Sequence, residues 1–198
     1  MKGKLWFWAV CMAGMVALTA GIAATAEDPI PSCLTGVIHD YSPISGGTTA
    51  WEVRGPWTLK LNEENRTATF SAALTMEQSV VGQTPTNVTA VALTQHTHHI
   101  TMKNASVSYD PTNCPAAPSG TPAYAAQIEV SGTASVYANG SVAPFGEFSH
   151  LQVCIAGGPN APNVPFSNIT LVFEKPAAGH FGTQAIHGVV SKTERNDD

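Results

Sequence analysis

The sequence predicts an all-β, single-domain fold, an antiparallel sandwich or barrel of about 8–10 strands. Three observations carry this. Apolar and polar residues alternate with period two again and again between Trp51 and Val190, the signature of half-buried strands. No window shows a sustained 3.6-residue apolar period. Gly, Pro and Asn clusters interrupt the alternation at spacings of about 8–12 residues, the spacing of short strands joined by tight turns.

Each element can be read in order. Trp57, Leu59 and Leu61 alternate with polar residues, residues 62–66 form a polar turn, and Ala68, Phe70, Ala72, Leu74 and Met76 alternate with Thr67, Thr69, Ser71 and Thr75. This is a hairpin with one buried face. Residues 82–85 read as a loop. A run from Val88 to Met102 is strand-like and closes at Lys103-Asn104, with a further strand over 105–109. Residues 111–122, with four prolines, can only be a loop. Residues 125–138 form a strand that Ser131-Gly132 would break or bulge. Asn139-Gly140 is the strongest hairpin signal in the chain, because both residues tolerate positive φ. Leu151, Val153 and Ile155 share one face of the next strand, with His150, Gln152 and Cys154 on the other. Residues 157–165 are a loop, Ile169, Leu171 and Phe173 mark another strand, and Glu174-Lys175-Pro176 stops it. A final segment, 177–190, is followed by a charged tail, 191–198, expected to be disordered.

The N-terminus carries a different signal. Lys2 and Lys4 precede an apolar run, 5–24, which ends at Ala24-Thr25-Ala26 and is followed by Glu27-Asp28-Pro29. This is the layout of a signal peptide cleaved after Ala26. Cys11 lies mid-run behind Trp8-Ala9-Val10, the wrong context for a lipidated cysteine. The expected organisation is a signal peptide (1–26), one all-β domain (27–190) and the tail, in a secreted or periplasmic protein.

Without Lys2 and Lys4, seven basic side chains face 14 acidic ones, leaving a net charge of −7. Such acidity, with no basic cluster, argues against nucleic acid or an anionic membrane as partner. The expected partner is a metal ion or another small molecule. Cys33, Cys114 and Cys154 survive cleavage, which in an oxidising compartment implies one disulfide and one free thiol; Cys114–Cys154 is the pairing favoured, because Cys33 lies near the new N-terminus.

Chemistry concentrates in Gln95-His96-Thr97-His98-His99-Ile100-Thr101-Met102. On a strand His96, His98, Ile100 and Met102 share one face, while Thr97, His99 and Thr101 take the other. Two imidazoles beside one another on the apolar face are a ready pair of nitrogen ligands for zinc or copper. A useful site needs a third. Among His180, His187, His150 and His39, His180 is favoured, because Gly179 and Phe181-Gly182 suggest a backbone bent to deliver one side chain. The candidate metal ligands are therefore His96, His98 and His180. The competing reading keeps these histidines as hydrogen-bonded structural residues of a non-enzymatic ligand-binding or interaction module. Glu129 is a weaker candidate, either an acid/base beside a histidine or a solvent-facing strand residue. No nucleophile elbow, P-loop or dinucleotide fingerprint occurs. The Gly179-His180-Phe181-Gly182 to His187-Gly188 segment resembles the endings of dirigent and allene-oxide-cyclase barrels. That resemblance implies a barrel whose interior holds a hydrophobic ligand.

Overall fold

The structure, a computed structural model, describes residues 30–43, 49–80, 95–109, 111–115, 126–143, 146–157, 166–182 and 184–195. The leader and its cleavage site, the loop 82–85 and the first part of the 88–102 run lie outside them.

The strands are β1 (Cys33–Pro43), β2 (Thr49–Asn62), β3 (Thr67–Val80), β4 (Gln95–Ser108), β5 (Ala126–Ala138), β6 (Ser141–Val142), β7 (Phe148–Ala156), β8 (Asn168–Phe173) and β9 (Ile186–Glu194), with one helical turn, α1 (Ala178–Phe181), between the last two. The sheet order is β4-β3-β2-β1-β9-β8-β7-β5-β6, and β4 also pairs with β5. Every pairing is antiparallel. Between sandwich and barrel, then, the answer is a barrel: eight strands close on themselves, and β6 is a short appendage of β5.

Period-two alternation became burial. Trp57, Leu59, Phe70, Leu74 and Met76 are at most 2 % exposed, as are Leu151, Val153, Ile155, Ile169 and Leu171. An eight-stranded barrel is just wide enough for such side chains to fill. The β2–β3 turn is held by Asn62, whose Oδ1 accepts from Asn65 N at 3.1 Å. Asn139 and Gly140, at φ 49° and 78°, join β5 to β6 as a two-residue hairpin loop, with Ala138 opposite Ser141.

Three expectations need correction. Lys103-Asn104 does not end a strand. It is a bulge inside β4, with Asn104 at φ 51° and register shifts against both β3 and β5. Nor does Ser131-Gly132 interrupt β5, which pairs continuously with β7 from Ile128 to Ser135. Gly132 is there for room: a Cβ on it would stand 3.2 Å from the Cβ of Ala105 in the β4 bulge. Finally, the charged tail is strand as far as Glu194, because backbone pairing with β1 (Cys33 opposite Glu194) needs no apolar side chains.

Cys114 and Cys154 form a disulfide, with Cα atoms 6.0 Å apart, and Cys33 is free. Cys154 lies on the outward face of β7, so the bridge ties the segment after β4 to the outside of the barrel. Among the described residues no helix is long and apolar enough to cross a membrane.

Candidate metal centre

One end of the barrel, the mouth, gathers the ends of β1, β3, β5 and β8 and the starts of β2, β4, β7 and β9. His96 and His98 open β4 here. Strand alternation turns both inward with Ile100 and Met102; His98 is fully buried and His96 partly so.

The third histidine comes from α1. β8 ends before Pro176, which cannot donate to a ladder. The chain then makes one helical turn, in which Phe181 N donates to Ala177 O at 3.0 Å and His180 N to the same carbonyl at 2.9 Å. Phe181 anchors the turn. It is fully buried, stacks on Phe173 with ring centroids 4.1 Å apart, and its carbonyl accepts a hydrogen bond from the Ser42 hydroxyl of β1. Gly182 ends the turn at φ 97°, a conformation closed to other L-residues. Gly179, by contrast, has open space where a Cβ would sit, so only the second of the two glycines beside His180 is required there.

The result is convergence. His180 Nε2 lies 3.0 Å from His96 Nε2 and 2.9 Å from His98 Nε2, and each of the three residues offers a ring nitrogen within 4.8 Å of the others. The triad thus lies close enough to hold a metal ion. Two nitrogens bound to one ion at about 2.0–2.1 Å stand roughly 2.8–3.4 Å apart for bond angles between 90° and tetrahedral. Trp51 of β2 flanks the cluster, its ring centroid 5.0 Å from that of His96 and 6.2 Å from that of His180. Phe181 covers His98 at 4.9 Å.

Electrostatics favour neutral rings. Burial, then the charges that His180 and His96 would carry, push the His98 imidazole down to about 3. Burial also lowers His96, and burial with the charge of His96 lowers His180. Each neutral imidazole offers one N–H and one lone-pair nitrogen. His180 Nε2 therefore brings either one proton or one lone pair to two close neighbours, and no neutral tautomer makes both contacts full hydrogen bonds. A cation at the point of convergence would take all three lone pairs at once.

The other candidates lie elsewhere. His39 sits 3.2 Å from Glu52 and His150 3.4 Å from Glu174. His187 Nδ1 is 2.9 Å from Asp40 Oδ2, which also accepts from His187 N. Glu129 accepts from Gln152 Nε2 at 2.8 Å rather than serving a histidine. Sequence reasoning overlooked Trp51, Phe181 and Ser42 as parts of the site. The signal for Trp51 was its place at the start of an alternating strand, but its nearness to His96, two strands along the wall, could not be read without the register.

No protein-family model, curated protein or solved structure matches this chain. The resemblance to dirigent and allene-oxide-cyclase barrels stays confined to residues 179–188.

Proposed function

We propose that this chain is an exported β-barrel protein that holds one zinc or copper ion between His96, His98 and His180. The observation that carries the reading is the approach of His180 Nε2 to within 3.0 and 2.9 Å of the other two Nε2 atoms. These come from β4 and α1, so their meeting is a product of the whole fold and not of local sequence. The lowered proton affinity of all three rings supports it, since a ligand imidazole must be unprotonated. Three protein ligands leave a tetrahedral ion one further position. His98 is buried while His96 and His180 are only partly so.

Export is supported by the basic start, apolar run and small-x-small site of residues 1–26 and by the Cys114–Cys154 disulfide, a bond of oxidising compartments. A role as carrier of a bulky apolar ligand is disfavoured by an interior occupied by Trp57, Phe70, Met76, Met102 and Phe181, all at most 2 % exposed.

Metal analysis of mature protein purified without a histidine tag tests the reading. The expected result is stoichiometric zinc or copper, as isolated or after incubation, absent from His98→Ala. Added Cu(II) is also expected to quench the emission of Trp51. Protein that takes up no stoichiometric metal under either condition refutes the proposal.

A further inference from the structure

Beyond residue 26 the chain holds two methionines, Met76 and Met102. Both are fully buried. Their surroundings differ. Met76 lies on β3 directly opposite His96 of β4, and both side chains face inward. Residues so paired place their Cβ atoms about 4.5–5.5 Å apart, close enough for a thioether and an imidazole to reach one point between them. On its other side Met76 faces Val53 of β2, which offers no competing donor. Met102 lies three inward-facing positions along β4 from His96, with its Sδ 3.3 Å from where a Cβ on Gly132 would stand; it fills space beside the bulge.

The choice of residue is informative. From the far end of β3 toward the mouth, the inward positions before Met76 carry Ala68, Phe70, Ala72 and Leu74, hydrocarbon at every rung until the one facing the metal candidates; polar Gln78 follows, opposite Trp51. Methionine has three rotatable bonds and a polarizable sulfur, so Sδ can move toward an ion without moving the strand.

We propose that Met76 supplies the fourth donor, making the site a three-imidazole, one-thioether centre selective for Cu(I). This rests on the reading of the three histidines as metal ligands. Thioether sulfur is a soft donor that favours Cu(I), whereas zinc prefers imidazole, thiolate and oxygen. The same three histidines would serve both metals, and Met76 would discriminate between them.

The test compares mature wild-type protein with Met76→Leu, Met102→Leu and His98→Ala. Cu(I) is supplied against a competing Cu(I) chelator, and Zn(II) against a zinc chelator. Leucine keeps the volume of methionine, and retained Zn(II) affinity reports an intact fold. Expected is a loss of about 10–100-fold in Cu(I) affinity for Met76→Leu, the range seen when a supporting interaction of a metal site is removed, with Zn(II) affinity changed less than about threefold and Met102→Leu like wild type for both. X-ray absorption of the wild-type Cu(I) protein should show one sulfur neighbour, lost in Met76→Leu. An all-nitrogen shell in the wild type, or unchanged Cu(I) affinity in Met76→Leu while His98→Ala loses both metals, overturns the role of Met76 and leaves the histidine site standing. Unchanged binding of both metals by His98→Ala defeats the histidine reading itself. Should Met76→Leu fail to fold, the wild-type spectrum decides alone.

Discussion

At the scale of single residues, protonation of the histidine triad, His98 above all, sets how the metal-free protein responds to pH. Its folded-state value of about 3 lies below the unfolded reference of 6.5. Above 6.5 both states hold the ring neutral; below it the unfolded chain takes up a proton that the folded chain refuses. Stability is therefore intact above pH 6.5 and falls as the pH drops toward 3, by on the order of 4–5 kcal/mol in total. Asp40 acts in a separate window. Burial raises its carboxyl, but hydrogen bonds from the His187 side chain and backbone and from Tyr41 N outweigh this and lower it below 3.8, so its contribution is lost only below about pH 4. Urea unfolding of chelator-treated protein between pH 7.5 and 4.5 should show a falling midpoint, and a clearly smaller fall in His98→Gln. An equal fall in both would assign the effect elsewhere. The strand face gives a sharper contrast. His98→Ala should weaken metal affinity by more than about 100-fold, whereas His99→Ala, exposed on the outer face, should change it little. Titration with a metal-responsive dye distinguishes the two. This pair was legible in the sequence because period two alone decides which side chains share a face. Met76 and Trp51 were not, since their nearness to His96 depends on the register of β2, β3 and β4, which no local pattern encodes.

At the scale of elements, α1 shows where sequence patterns stop being informative. Four residues cannot display a helical period, and the segment reads as an odd strand rich in glycine. The glycines do separate work. Gly182 takes a backbone conformation that needs glycine, while a Cβ on Gly188 would stand 2.4 Å from the Val37 carbonyl of β1, so that glycine lets β9 close on β1. Gly179 has neither reason. Gly179→Ala should preserve metal affinity and hold or raise stability, by up to about 1 kcal/mol from helix propensity. Gly182→Ala should cost at least about 1 kcal/mol and loosen His180, lowering metal affinity as well. Thermal unfolding with and without metal reads both effects, and a harmless Gly182→Ala would show that α1 does not depend on its C-terminal glycine. The extension of β9 through Ser191–Glu194 was hidden for a related reason: those side chains are exposed, and what orders them is backbone pairing with β1.

At the scale of the whole molecule, sequence patterns could count strands but not choose sandwich or barrel, because closure rests on the pairing of the first strand, β1, with the last, β9. The disulfide is a second long-range tie, spanning 40 residues. Replacing Cys114 and Cys154 together by Ser should lower stability by about 4 kcal/mol on the loop-entropy estimate, measured by denaturant unfolding. Thiol counting on exported, denatured protein should find one reactive group, Cys33, and intact mass should place the N-terminus at Glu27; retention of residues 1–26 would refute cleavage. The barrel seam has a bearing on timing. His96 and His98 enter the structure halfway along the chain, but His180 arrives on the turn just before β9, the strand that joins β8 to β1. On the proposed export, an unfolded chain in transit would carry only the His-x-His pair, a weak two-point ligand, and the third imidazole would come into place when the cylinder shuts. Firm capture of an ion would then mark completed folding in the compartment of arrival, so that the metal is chosen from that compartment's supply and not from the one where the chain is made.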